Sequence, residues 1–482
     1  MQKPIRIVPL IVACALLMEN LDGTVIATSL PAIAADVHES PLSLKLALTA
    51  YLVALAVFIP ASGWVADRFG ARRVFRLALA VFVAGSILCG MADSLWGFVA
   101  ARFIQGIGGS MMTPVGRLLV VRSAPKHELV EAFAWLTVPA MIGPVIGPPL
   151  GGFITTYLHW RWIFWINVPI GALGIVLATL YMTEVREDDP GKLDLVGFAL
   201  SAFGLSGLVF GLTVAGRGFV SGPIDAILIG GGAAALVTYV FHAKGLERPI
   251  LDLKLLSIPT FRSSVFSGFF FRTSVGAVPF LLPLMLQLGF GMSPFESGLL
   301  TFASAVGAMA MKTTAGTILR RFGFKRTLVI NGLISTFFFV AYAMFSADTS
   351  HWLIVFVLLV GGFFRSLQFT ALNTLGYADI DSARMSRATS FSATGQQVSL
   401  ALGVTVGAAA VEAARWWHGE AAIAVDDFTP GFLTVGVISL LSVIFVAKLP
   451  ANAGAHLSRR AEAKAVGASS GGVSGEGKIA AE

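Results

Sequence analysis

Fourteen apolar segments, each long enough to cross a bilayer as a helix, follow one another along this chain with short connections between them. They lie near residues 7–29, 46–66, 74–92, 97–120, 131–155, 162–183, 193–213, 223–242, 262–289, 296–318, 327–346, 352–375, 390–412 and 430–448. Hydrocarbon offers backbone N–H and C=O groups no water to bond, so segments of ~20 apolar residues must satisfy them internally, as helices. Composition agrees, since 56% of the 482 residues are hydrophobic and 13% are charged. The first segment runs on through Asp22 to Pro31 without a cleavage site and reads as a retained span. The fold class expected is therefore an all-α integral membrane protein.

The net charge of +7 orients the chain. Of 34 Lys and Arg, 25 fall on one side of the spans, among them Lys3, Arg6, Arg72, Arg73 and Lys126; only Lys45, Arg161, Arg217 and Arg415 fall on the other. By the positive-inside rule both termini are cytoplasmic, and the basic excess orients the protein instead of binding nucleic acid. Cys14 and Cys89, both inside apolar segments, read as small buried hydrophobes. No spacing of Cys or His suggests a metal, and no cofactor is expected. The Gly/Ser-rich tail, 451–482, reads as solvated and disordered.

One turn is written twice. "GWVADRFGARR" (63–73) and "GTILRRFGFKR" (316–326) align without gaps at Gly63/Gly316, Arg68/Arg321, Phe69/Phe322, Gly70/Gly323 and Arg73/Arg326. The offset of 253 residues exceeds six short-looped helices, and two further apolar segments around 193–242 fill the excess. The plan is a six-helix bundle (1–185), an inserted pair (186–255), a second bundle (256–450) and the tail, the bundles being parallel repeats about an axis along the membrane normal.

The first copy of that turn resembles the signature between helices two and three of the major facilitator superfamily. "LDGTVIATSLP" (21–31), "RFIQGIGGS" (102–110) and "GPVIGPPLGG" (143–152) resemble first-, fourth- and fifth-helix signatures of drug:proton antiporters. With "WRWIFWINVPIG" (160–171) and the inserted pair, the likeness points to their fourteen-span family, over about residues 5–450. The resemblance implies a monomer in the bacterial inner membrane, surrounded by lipid and exchanging protons for a small molecule. One position departs from it: Glu19 stands where the signature is usually uncharged.

"MENLD" places Glu19 and Asp22 one turn apart inside the first span, where each carboxylate costs about 2.5–3.5 kcal/mol and so calls for an explanation. The functional reading is proton binding at a water-accessible cavity; the alternative is a fixed structural partner for an arginine. Arg102 lies ~9 Å from the outer end of span four and Asp22 ~10 Å from that of span one, so they match in depth. Such a guanidinium favours the charged carboxylate when close and releases it when withdrawn.

Gly143, Gly147 and Gly151 form a small-residue stripe beside Pro144 and Pro148, read as a hinged contact between the halves or as plain tight packing. Gly63, Asp67, Arg68 and Gly70 form a candidate conformational latch, Asp67 meeting a helix N-terminus or an arginine such as Arg117. In the second half, Arg272 falls opposite Glu19 at the repeat offset; if the first helix of each half lines the central cavity, the two face one another near mid-membrane, in a register that a one-residue change in loop length would spoil. Phe271, Arg272 and Gln287 belong to a candidate substrate wall. Lys312 and Arg365 lie nearer the basic ends of their spans, where snorkelling is the plain account. If either reaches the cavity, that wall is cationic and suits an anionic or zwitterionic substrate. Trp160, Trp162, Trp416 and Trp417 read as interfacial anchors.

These features point to a proton-coupled exporter working by alternating access. The alternative is a facilitator or symporter of a small organic anion or metabolite without proton exchange. Short loops without a catalytic constellation argue against an enzyme, and the absence of a Walker-type loop leaves an ion gradient as the energy source.

Overall fold

The structure, a computed structural model, describes residues 7–123, 125, 128–187, 191–215, 219–381, 384–419, 423–450 and 452–454. Lys3, Arg6, Lys126, Arg217 and almost all of the tail lie outside them. Sixteen α-helices among the described residues make fourteen spans. The first span joins α1 (Ile7–Val25) to α2 (Leu30–Asp36) through a 3₁₀ turn at Ile26–Ser29. Then come α3 (Lys45–Phe69), α4 (Ala71–Met91), α5 (Leu95–Ser123) and α6 (Leu129–Tyr157). The sixth span is split into α7 (Trp162–Trp165) and α8 (Asn167–Tyr181). The next pair is α9 (Leu195–Val214) and α10 (Gly222–Lys244). The second bundle comprises α11 (Pro259–Leu284), α12 (Pro294–Phe322), α13 (Phe324–Ala341), α14 (His351–Gly376), α15 (Met385–His418) and α16 (Phe428–Ala447).

Twelve of these spans are apolar enough to cross a membrane on composition alone. The other two, α5 and α12, are 29 residues long and more polar, and in the part of each nearer the closed end that polarity is turned inward. Arg102, Gln105 and Ser110 of α5 and Ser297 and Ser304 of α12 are all buried against neighbouring helices. The internal repeat survives as geometry, because Gly70 (φ 96°) ends α3 and Gly323 (φ 71°) ends α12. Both turn the chain through the positive-φ region that glycine adopts without a Cβ clash.

Small residues set the interhelical distances, as expected where lipid removes the hydrophobic drive between helices. An added Cβ at Gly85 of α4 would stand 2.6 Å from the Gln105 backbone, and one at Gly106 would stand 2.6 Å from Ala54 of α3. Between the bundles, α6 lies against α12 and α3 against α15. The inserted α9 packs beside the α3–α15 seam, where Val209 meets Val53, Val57 and Ala401 and Thr213 bonds Thr405 at 2.8 Å.

The end away from the basic loops is closed. Gln287 donates to the Thr28 carbonyl at 3.0 Å, the Phe295 amide donates to Thr156 at 3.1 Å, and Phe295 packs on Phe153 and Tyr157. A Cβ on Gly152 or Gly298 would collide with the Pro294 or Pro148 carbonyl.

Two expectations need correction here. Cys14 is exposed on α1; only Cys89 is buried. Trp160 is buried, its ring packed on Phe98 and Phe164 and its N–H donated to Asp36 at 3.1 Å, so it ties loops together instead of sitting at the interface. Trp162, Trp416 and Trp417 are exposed.

Candidate functional site

Asp22 lies in a closed polar cage formed by four helices. It accepts from Arg102 Nη1 at 2.6 Å, from Gln105 Nε2 at 2.8 Å and from Asn167 Nδ2 at 2.9 Å, and it is 2% exposed. Ser86 of α4 closes the ring, accepting from Gln105 at 2.7 Å and from Asn167 at 3.2 Å. The Arg102 guanidinium lies 4.4 Å from the Tyr51 ring centroid. Such a cage compensates a buried charge with several donors at once, which a single ion pair would not do. The close approach of α4 to α5 at Gly85 brings Ser86 within reach.

Glu19, one turn earlier on α1, is only partly buried. Its Oε2 accepts from Thr113 of α5 at 2.8 Å, and Arg117, one turn beyond Thr113, acts on it electrostatically. Gly23, one turn along from Glu19, is exposed with no neighbour within 4 Å of a Cβ position, so this face of α1 borders open space. Arg272 is elsewhere. It is buried in the second bundle, donating to Asn373 at 2.6 Å with its guanidinium 5.2 Å from the Phe369 ring, so it does not face Glu19.

A cavity of about 340 Å³ lies between the bundles, walled by Thr24, Thr28, Pro144 and Pro148 on one side and Val278, Leu282, Ser304, Lys312 and Arg365 on the other. Of the candidate substrate residues only Lys312 and Arg365 line it. Phe271 is fully buried against Phe339, and Gln287 is spent on the closed end.

Residues 12–245 and 264–473 match the family model described as Major Facilitator Superfamily. The chain belongs to the Major Facilitator Superfamily. It is 36% identical over 93% of its length, and 96% of the relative's, to a Haemophilus influenzae protein named as the probable transport protein HsrA. It is 35% identical over 91% of its length, and 94% of the relative's, to a Cronobacter sakazakii protein provisionally named multidrug resistance protein MdtD. Among solved structures, a D-xylose-proton symporter aligns with TM-score 0.68 at 16% identity, covering 94% of this chain and 99% of that one. The nucleoside transporter NupG aligns with TM-score 0.66 at 14% identity, covering 93% and 100%. Those two likenesses concern the fold.

The superfamily turn at the end of α3 binds within its own bundle. Asp67 pairs with Arg122 at 3.0 Å, not with Arg117, and Arg122 also reaches Glu187 at 2.6 Å. Arg122 stands where α5 leaves the membrane beside α3, whereas Arg117 is further in, near Glu19. Beyond Gly70, Glu184 accepts from the Arg72 amide at 3.1 Å and pairs with Arg73 at 3.6 Å. Gly63 and Arg68 are exposed.

The stripe of Gly143, Gly147 and Gly151 faces α1, where added Cβ atoms would meet Leu17 and Asn20, Thr24, and Val25 respectively. It packs helices of one bundle. The contact between halves is made by its neighbours: Pro148 and Gly152 of α6 against Gly298 and Pro294 of α12, while Pro144 and Pro148 also wall the cavity.

The sequence reading missed Gln105, Asn167, Ser86 and Tyr51. The first two stand inside "RFIQG" and "WINVPIG", and the available signal was a polar amide in a span that elsewhere tolerates few.

Proposed function

We propose that this transporter exchanges protons for a small molecule that it exports, with Asp22, Glu19 and Arg102 coupling the two movements. With the basic loops cytoplasmic, the end closed by Gln287, Phe295 and Gly298 is external, and the arrangement faces inward. The observation that carries the reading is a fully desolvated carboxylate–guanidinium pair with a second carboxylate one turn away at the edge of open space. Asp22 accepts three N–H bonds, one of them from the Arg102 guanidinium, and we read this inward-facing arrangement as the one ready for cargo. Glu19, held by one hydroxyl, meets a proton first. In the outward-facing state, passing a proton taken up from outside on to Asp22 frees Arg102 and loosens α1 from α5, which is the movement that returns outward-facing to inward-facing packing.

The test is collapse of a pH gradient in everted vesicles on adding lipophilic cations, neutral drugs or small carboxylates, with wild type, Asp22→Asn and Glu19→Gln compared. Proton release on adding one class, abolished in Asp22→Asn and reduced in Glu19→Gln, is expected. Wild-type rates in Asp22→Asn would sink the proposal.

The completeness of the cage favours one second reading, in which Asp22–Arg102 is a permanent tie and the protein is a facilitator or symporter of a small organic anion. In that case wild type carries its substrate without releasing protons.

A further inference from the structure

We infer that the central cavity is an anion-binding site, with Arg365 and Lys312 receiving the carboxylate of a small amphipathic organic acid. This deepens the transport reading and rests on it.

Arg365 Nη2 donates to Ser304 at 2.8 Å and Lys312 Nζ to Thr370 at 3.0 Å. Both partners are neutral hydroxyls, and among the described residues neither cation forms an ion pair. Both line the cavity, and no acidic side chain does. Contrast Arg102, which with Gln105 recurs 263 residues further on as Arg365 and Gln368 and which has Asp22 as its partner. At the repeat offset Asp22 becomes Val275, so the second bundle carries the arginine without the acid. A guanidinium that lacks a carboxylate partner in a cavity at bilayer depth is the complement of a ligand carboxylate, which it binds through two parallel N–H bonds.

The rest of the wall sets the body of the ligand. Val278, Leu282, Met141 and Met309 are apolar, and the two methionines can re-pack around differing shapes. At about 340 Å³ the space is at the lower end for small-molecule sites, so the ligand is compact, with an apolar body and one anionic head.

The experiment is equilibrium dialysis of the full-length protein in phosphatidylcholine nanodiscs, with empty discs as blank. The probes are 1-naphthoate and its alcohol and methylammonium counterparts, which share a ring system and differ in charge. Wild type should bind the carboxylate about tenfold more tightly than either counterpart. Arg365→Gln and Lys312→Gln should each lose most of that preference, and Arg365→Lys should keep part of it, which separates lost charge from lost folding. Equal or tighter binding of the ammonium compound, no binding of naphthoate by wild type, or an undiminished preference in folded Arg365→Gln and Lys312→Gln protein would overturn the inference. Binding needs no gradient. Naphthoate bound without proton release in vesicles therefore sinks antiport alone, whereas proton release on cationic compounds only sinks the anion site alone.

Discussion

The fourth helices of the two bundles, α5 and α14, carry one pattern in two environments. Arg102 and Gln105 recur as Arg365 and Gln368. Each glutamine is fully buried and bonds the third helix of its bundle: Gln105 to Ser86, and Gln368 to Asn331 at 2.9 Å and to the Leu328 carbonyl at 3.1 Å. The arginines diverge. Arg102 is paired with Asp22 and covered by Tyr51; Arg365 meets Ser304, which stands at the repeat position of Tyr51, and looks into the cavity. Exchanging an acid for Val275 and an aromatic lid for a serine converts a locked cation into one open to a ligand.

The largest expected effect breaks the comparison at its strongest point. Arg102→Gln strands a buried carboxylate and should cost about 3–5 kcal/mol, whereas Arg365→Gln loses one hydroxyl bond and should cost about 1 kcal/mol. Chemical-denaturant unfolding in detergent measures both; similar losses would mean that the two arginines are equally structural. Asp22→Asn combined with Arg102→Gln should be less harmful than Arg102→Gln alone, since no charge is then stranded.

Next in size is Gly85→Ala, whose methyl would lie 2.6 Å from the Gln105 backbone. Overpacking of this kind costs about 1–3 kcal/mol and should part α4 from α5. The same unfolding measurement should show it, together with proton-release rates nearer those of Asp22→Asn than of wild type. A smaller change acts on the second bundle. Ser304→Ala removes the neutral partner of Arg365 at a cost of about 1 kcal/mol or less, and it should leave naphthoate binding within a few-fold of wild type because the ligand competes for the same N–H group.

Depth was legible in the sequence and rotation was not. Counting residues from span ends matched Asp22 to Arg102, because rise per residue is constant and small errors move a side chain only ~1.5 Å. The same counting failed for Arg272 opposite Glu19, since each residue turns a helix by about 100° and a small shift in register presents another face. Arg272 instead turns to Asn373 of its own bundle. Rotation also explains the glycine stripe, whose spacing of four announced a contact without saying that α1, not the other half, would fill it. The Arg-x-x-Gln repeat escaped because it recurs at 263 residues, ten more than the turn beside α3, so ungapped alignment passes over it. All fourteen spans could nonetheless be drawn, including α5 and α12, because their polar residues are spaced widely enough to leave apolar runs between them.

The finest test separates the two acids within the first bundle. Thr113→Val keeps the shape of the side chain and removes the one hydroxyl that bonds Glu19 at 2.8 Å. The stability cost should be about 1 kcal/mol, because Glu19 borders open space and water can replace the lost donor. Asp22, by contrast, cannot recruit water through its closed cage, so Asn167→Leu, which removes a cage donor, should cost more than Thr113→Val in the same unfolding assay. If Glu19 is where a proton first arrives, Thr113→Val should change the pH at which exchange is half-maximal while leaving the maximal rate near wild type. Asn167→Leu should instead lower the maximal rate. Should both variants act on the maximal rate alone, Glu19 and Asp22 belong to one structural tie, and the difference between an open and a sealed carboxylate has no part in transport.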